Sequence, residues 1–455
     1  MKTKETEVLE AKVVTIGGLI DRRPDDLKPW PGNPRTHNDK QLAKLKTSIQ
    51  KFGFTAPVLV DEAGVILSGH GRVQAAKALE LPTIPTRVIA GLSEAKKRAY
   101  VIADNKLAQL AGWDATLLKD ELVLLIAEDF DIETTGFSTA EIDILFDGAE
   151  EPPGSDPDDL QPDDIAAAVV SRVGDLWRLG SHSLLCGDAL SADSYKTVMQ
   201  GALAQMVISD PPYNVPINGH VCGSGKVHHK EFKMASGEMT PSEFTAFLNT
   251  AFSHTHAFSQ DGAVHDYFMD WRHSMEIQKA ALPLFGSPLQ LCVWVKNNAG
   301  MGSFYRSQHE LVFVFKKGEA PHINNFELGQ HGRYRTNVWT YSGVNTFTGK
   351  GYELLALHPT VKPVSLMADA LRDCSHRQGI ILDPFAGSGT ILIAAERTGR
   401  QARAIELDPQ YVDVGVMRWK RVTGKEAVLE ATGQTWDQVL ASRLSGADME
   451  SGHGL

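Results

Sequence analysis

The sequence predicts an α/β chain built around a mainly parallel sheet, with a small α+β domain ahead of it. Three observations carry this expectation. From Gly174 onward, strand-like apolar runs alternate with helical stretches, the pattern of strands joined by crossover helices. Shorter strand and helix signals, joined by turn chemistry, precede them. Between the two parts, 149–169 is acidic and proline-rich, and such a composition buries too little apolar surface to offset its ordering entropy. The expected division is therefore a domain over 1–148, a linker over 149–169 and a second domain over 170–455.

Taken in order, Pro57-Val58-Leu59-Val60 and Gly64-Val65-Ile66-Leu67 read as a hairpin around Asp61-Glu62-Ala63. A helix is expected from about Val73 to Leu79, and another from Ser93 to about Leu110. Ser138-Thr139-Ala140-Glu141 matches a capping box and predicts a short helix to Phe146. In the second domain the expected strands are Ser183–Cys186, Gln205–Ser209, Gly262–Met269, Leu289–Val295, Glu310–Phe315, Gly379–Leu382 and Ala402–Glu406. Thr240-Pro241-Ser242-Glu243 is a second capping box with proline at the first helical position.

Composition sets bounds rather than a function. The 455 residues are 42% hydrophobic and 22% charged, ordinary for a soluble chain with a large core. The net charge of −11 is concentrated between Phe146 and Ile165, where eight carboxylates stand without a Lys or Arg. Local basic patches elsewhere can still attract a polyanion, so DNA is neither supported nor excluded on charge. Cys186, Cys222, Cys292 and Cys374 form no Cys-x-x-Cys pair, which speaks against a disulfide framework or a zinc knuckle and fits a reducing cytoplasm. The first residues lack the apolar core of a signal peptide, and no apolar run is long enough to span a membrane. The sixteen histidines form no convincing metal-ligand set.

Two segments carry chemistry. Ile380-Ile381-Leu382-Asp383-Pro384-Phe385-Ala386-Gly387-Ser388-Gly389-Thr390 runs from a strand through a Gly-rich turn into a helix, a form in which backbone approaches a nucleotide closely. Glu406 ends the next strand-like run, nineteen residues beyond Gly387, a spacing that suits a carboxylate accepting from ribose hydroxyls. Val207-Ile208-Ser209-Asp210-Pro211-Pro212-Tyr213 ends a strand in a carboxylate, two prolines and an aromatic ring. The prolines remove N–H donors, which leaves the Asp210 carboxylate and the Pro211 carbonyl as acceptors for an exocyclic amine, and Tyr213 as a flat surface for a base.

Asp210–Tyr213 and Asp383–Thr390, in that order, resemble the signature motifs of the circularly permuted β class of amino DNA methyltransferases. Leu184–Asp188, Tyr305–Phe315 and His358-Pro359-Thr360-Val361-Lys362-Pro363 fall where that family has corresponding pieces. The resemblance covers roughly Gly174 to Thr435 and implies a Rossmann-like methyltransferase with a mostly parallel sheet. It implies S-adenosylmethionine as cofactor and double-stranded DNA as substrate, with methyl transfer to N6 of adenine. By this resemblance Asp210, Pro211, Pro212 and Tyr213 are catalytic: Asp210 and Pro211 orient the amine and Tyr213 stacks the flipped base. Asp383, Phe385, Gly387 and Gly389 cradle the methionine part of the cofactor, Thr360 and Lys362 meet its carboxylate, Glu406 takes the ribose hydroxyls and Asp188 lies near its adenine. No metal is required.

Lys226, His228, His229, Lys230 and Lys233, with Arg333, Arg335 and Trp339, are the expected DNA contacts, because basic groups beside aromatics suit phosphate and base stacking. In front, Asn33-Pro34-Arg35, Leu67-Ser68-Gly69-His70-Gly71-Arg72 and Ala103-Asp104-Asn105-Lys106 resemble the ParB/sulfiredoxin-like domain over roughly Leu27 to Leu110. That resemblance implies an α+β ParB-like domain in which Gly69, His70, Gly71 and Arg72 contact a nucleotide or DNA, the helix N-terminus supplying N–H donors. With no cysteine there, thiol chemistry is ruled out. A homodimer is the remaining partner expectation. Cytosine N4 methylation, a ParB-like DNA-binding regulator with a degenerate methyltransferase body, and methylation of protein glutamine are the competing readings. Asp at 210 and the permuted order count against the last, and the intact motifs count against the regulator.

Overall fold

The computed structural model describes residues 16–128, 130–147, 169–215, 235, 237–297, 299, 304–326, 329, 334–343 and 361–450. The chain divides into two compact units, Met1–Phe146 and Asp147–Leu455. The segment 149–168 lies outside the described residues.

The front unit holds a four-stranded sheet of β1 (Ile16–Arg22), β2 (Val58–Val60), β3 (Ile66–Ser68) and β4 (Ile84–Ile89), in the order β1-β4-β2-β3. The hairpin β2–β3 forms as its turn chemistry predicts: Asp61 Oδ1 accepts from the N–H groups of Ala63 and Val65, both at 2.9 Å. Its other oxygen pairs with Lys97 Nζ at 2.8 Å in a buried ion pair. Ser138 and Glu141 form the expected reciprocal cap of helix Thr139–Asp147. The helix expected at Val73 begins three residues earlier, at His70, because Gly69 adopts φ +102° and turns the chain straight off β3. Strands β1 and β4 and the helices Asp39–Phe52 and Ala115–Ala127 were not expected from the pattern. Ile16–Arg22 is an exposed edge strand with two glycines, so it shows little alternation.

The large unit is one ten-stranded sheet. Its strands are β5 (Leu176–Leu179), β6 (His182–Cys186), β7 (Ala204–Ser209), β8 (Ser259–Met269), β9 (Gln290–Val295), β10 (His309–Lys316), β11 (Val338–Thr340), β12 (Ile380–Asp383), β13 (Gln401–Glu406) and β14 (Ala427–Leu429). They lie in the order β11-β9-β10-β8-β7-β12-β13-β6-β5-β14. All seven expected strands are present. The central run β8-β7-β12-β13-β6 is parallel, so its carboxyl ends share one edge. Residues alternate between two apolar clusters: Met206, Ile208 and Ile381 join one, with Leu366, Ile393 and Trp419, while Val207 and Leu382 join the other, with Phe244, Leu248 and Phe252. A central strand buried on both faces is what a near-continuous apolar run encodes.

β10 runs against its neighbours, pairing antiparallel with β8 and β9. Its first residues therefore reach the edge where the parallel strands end, and Leu311 lies opposite Met269. No helix of the described residues is long and apolar enough to cross a membrane.

Candidate active site

The carboxyl edge of an open α/β sheet is where such folds take ligands. Asp210 follows β7 and Asp383 ends β12, the adjacent strand. The two segments that carry the expected chemistry are joined by a direct bond: Ser209 Oγ donates to Asp383 Oδ1 at 3.0 Å. Their convergence is the geometric condition for an amine and a methyl donor to meet.

At Asp210 the structure assembles a buried charge cluster. Lys362 Nζ lies 2.5 Å from Asp210 Oδ2 and 3.1 Å from Glu310 Oε2. Lys296 Nζ lies 2.5 Å from Glu310 Oε1. The Tyr213 hydroxyl sits within hydrogen-bond distance of both acids, 2.6 Å from Asp210 Oδ1 and 2.9 Å from Glu310 Oε2. The Lys362 ammonium is ringed by Phe268, Tyr213 and Trp294, at 5.1, 5.5 and 5.8 Å from the ring centroids. Burial raises the Asp210 pKa against the pull of Lys362, whereas at Glu310 the two lysines overcome burial and hold the carboxyl below its usual range. Burial, with Asp210 and Glu310 close by, keeps the Tyr213 phenol protonated.

Lys362 was expected at the cofactor carboxylate. Its ammonium is instead committed to Asp210 and Glu310. Thr360 lies outside the described residues.

The cofactor segment folds as a strand–loop–helix unit. Phe385 N–H donates to Asp383 Oδ1 at 3.1 Å, and Gly387 N–H donates to Glu406 Oε2 at 2.9 Å. Ala386 N–H reaches back to the Ile405 carbonyl, so the loop is tied to β13. Gly387 and Gly389 both take positive φ. A Cβ on Gly389 would stand 2.8 Å from Gly415 Cα, so its missing side chain serves the close approach of helix Thr390–Thr398 to helix Pro409–Thr423. Burial lifts both Asp383 and Glu406 to about 7. Buried acidic acceptors beside a backbone cradle suit a ligand that is cationic and rich in hydroxyl donors. The residues therefore fit S-adenosylmethionine. Asp188 stands just past β6, its Oδ1 accepting from Leu190 N–H at 2.8 Å, and Gly187 N–H binds the Glu406 carbonyl. Phe385 packs near Phe247, their centroids 5.9 Å apart.

Sequence reasoning missed several supports. Glu310 was read only as the start of a strand; an acid opening an apolar run was the available signal. Asn214, at φ +52°, donates to the Met239 carbonyl and accepts from Gly237 and Met239 N–H, pinning the chain ahead of helix Pro241–Ala257. Arg418, fully buried, donates to Thr390 Oγ1 at 2.9 Å.

The expected DNA contacts fare differently. Lys226, His228, His229, Lys230, Lys233 and Arg333 lie outside the described residues. Arg335 and Trp339 do not form an exposed nucleic-acid surface: Arg335 Nε donates to Asp373 at 2.7 Å inside a cluster with Tyr341 and Asp369, and Trp339 is in the core. Exposed aromatic surface instead lies ahead of β10, where Phe304 and Tyr305 are 85% and 90% exposed beside Arg306.

In the front unit, Gly69 opens helix His70–Ala78, and Ser68 Oγ donates to Asp104 Oδ2 at 2.7 Å, joining two of the motifs. His70 does not fit the anion contact expected of it. Its Nε2 accepts from Trp30 N–H at 3.1 Å, and burial lowers its pKa, so the ring is neutral. A Cβ on Gly71 would stand 3.0 Å from His37 and Leu45, so that glycine serves helix packing. Arg72 donates to the Ala56 carbonyl at 2.8 Å.

Three family models match the chain: ParB N-terminal domain over 11–106, ParB-methyltransferase HTH domain over 116–173, and DNA methylase over 204–417. The ParB-like nuclease domain-containing protein YnaK of Escherichia coli K12 is 44% identical over 80 residues, 18% of this chain and 92% of that protein. The type II methyltransferase M.HpaI of Haemophilus parainfluenzae is 21% identical over 249 residues, 52% of this chain and 73% of that protein. The structure of the M1.HpyAVI–SAM complex aligns with a TM-score of 0.37 at 19% identity, covering 52% of this chain and 98% of that one.

Proposed function

We propose, from the premise that this chain belongs to the N6/N4 DNA methyltransferases that use S-adenosylmethionine and carry a ParB N-terminal domain, that its target is N6 of adenine in DNA. The observation that carries the reading is the adjacency of Asp210 and Asp383 on neighbouring strands, bridged by Ser209. Asp, rather than Ser, ahead of Pro211-Pro212-Tyr213 favours adenine over cytosine as a family tendency.

When bound, the cofactor supplies an electrophilic methyl group on a sulfonium. Asp383, Glu406 and the Gly387 loop would hold it, with Asp188 beside them. Asp210 and the Pro211 carbonyl would accept the two N–H bonds of the target amine and aim its lone pair, chiefly a positioning effect. The amine sits in a base pair, so the base leaves the stack first, and the Tyr213 ring is the surface proposed to receive it. Positive charge would grow on the amine nitrogen as it takes the methyl group. The Asp210 carboxylate would stabilise that charge, and the methylated nitrogen would then release one proton to solvent. Exposed Phe304, Tyr305 and Arg306 would meet the DNA beyond the pocket. Gly69 and Arg72 would contact a nucleotide in the front domain.

The test is to express the chain in a host that lacks DNA methylation and map modified bases by single-molecule sequencing. N6-methyladenine in a fixed context is the expected result. N4-methylcytosine would transfer the assignment to the alternative base, and unmodified DNA would overturn the proposal.

A further inference from the structure

Lys362 joins two separated strands at the active edge. Asp210 follows β7 and Glu310 lies in β10, with β8 between them, and the Lys362 ammonium bridges both carboxylates above Phe268 of β8. A lysine has three N–H donors. Three oxygens surround this one: Asp210 Oδ2, Glu310 Oε2 and, at 3.4 Å, the Tyr213 hydroxyl. No donor remains for a cofactor carboxylate. Lys296 completes the set on the far oxygen of Glu310, so two acids meet two bases. Lys362 and Glu310 are buried beside these rings, and the lower local dielectric strengthens their pairing.

We propose that Lys362 and Glu310, backed by Lys296, are positioning residues for methyl transfer: Lys362 favours the carboxylate form of Asp210 and aims it, Glu310 fixes the Lys362 ammonium and the Tyr213 hydroxyl, and neither takes part in binding the cofactor. The proposal rests on the methyltransferase reading above. An isolated buried carboxylate would take up a proton and lose the charge that the developing ammonium needs. Lys362 offsets that burial, and Glu310 keeps Lys362 from drawing Asp210 too far toward a weak acceptor. The charged and titratable groups facing Asp210 are Lys362, Glu310, Tyr213 and, from β12, Asp383.

The two charges therefore act on Asp210 with opposite sign, which a purely structural role would not produce. The experiment uses the full chain, tritiated S-adenosylmethionine and genomic DNA from a methylation-deficient host. Single-turnover rates are measured across pH, and cofactor affinity by calorimetry. Lys362→Met should slow transfer by roughly 100-fold and move the acid limb of the profile to higher pH. It should leave the cofactor Kd within about threefold, less than the loss of one hydrogen bond. Glu310→Gln should slow transfer by about tenfold and move the acid limb to lower pH. Lys362→Arg, which keeps the charge, should recover part of the lost rate.

A Lys362→Met protein that binds cofactor at least about tenfold more weakly, yet turns over normally when saturated, would overturn the proposal and return Lys362 to the cofactor. Acid limbs that fail to move in opposite directions would overturn it as well. If Lys362→Met does not fold, Glu310→Gln and the double variant, which removes one charge of each sign, decide by the same limb positions. A wild-type chain that binds cofactor and methylates no DNA would instead refute the underlying function.

Discussion

At the end of the site proposed to take the amine, Asp210 and Glu310 face Lys362 and Lys296 across distances of 2.5 to 3.1 Å. At the cofactor end, Asp383 and Glu406 accept from neutral donors, the Ser209 hydroxyl and the N–H groups of Phe385, Gly387 and Asp408. The first cluster neutralises its own charge within the protein. The second does not, and burial lifts its carboxyls to about 7. The contrast separates an end whose charges are balanced by folding alone from one whose acids are left for the proposed positively charged ligand.

The largest effect should follow from removing the acceptor at the prepared end. Asp210→Ala should lower methyl transfer roughly a thousandfold, about 4 kcal/mol of transition-state stabilisation, with cofactor binding largely retained. Turnover with tritiated cofactor and calorimetry measure the two quantities, and full activity would refute the role of Asp210.

Next is stability. Lys362→Met leaves two buried acids facing each other, and losing one partner of a buried pair costs about 3 kcal/mol or more. Urea unfolding would measure it, and an unchanged midpoint would show that the cluster is not held as a unit.

The other end responds to pH. Asp383 and Glu406 have folded-state values above those of an unfolded carboxylate, so their contribution to stability is fully present below about pH 4 and is lost as the pH rises through about 7. A cation that favours the ionised forms reverses the trend for binding. Cofactor affinity should fall by up to about tenfold from pH 7 to pH 6 for each group that must lose a proton. Calorimetry in buffers of different ionisation enthalpy would show proton release on binding, and its absence would break the comparison.

The smallest effect should be Asp383→Asn. The amide keeps an acceptor for Ser209 and removes a costly buried charge, so the cofactor-free protein should gain on the order of 1 kcal/mol at pH 8 while its cofactor affinity falls. Thermal melts with and without S-adenosylmethionine would test both halves.

Much of this architecture was legible because its signals are local. β7 and β12 are near-continuous apolar runs because both faces of the sheet centre are covered, and Thr240 with Glu243 closes its capping box as spaced. The motifs at Asp210 and Asp383 announced themselves by residue type, and the sheet order then brought them together. What escaped was set by tertiary partners. Glu310 gains its meaning only when an antiparallel strand carries it beside Lys362, 52 residues later in the chain. Arg335 looked like a phosphate ligand until its acidic partners Asp369 and Asp373, on helix Val364–Cys374, were brought against it. Gly389 also packs closely on another glycine, Gly415, on the following helix, a neighbour that its local motif does not name. Charge and glycine report a need, but not which neighbour meets it.

The reversed direction of β10 has one further consequence. A strand running with its neighbours would have delivered its last residue to the reactive edge; β10 delivers its beginning, and the residues just before it carry the bare rings of Phe304 and Tyr305. On the proposed function, the rings that would meet the duplex and the acid that holds Lys362 beside Asp210 are thereby mounted on a single ribbon.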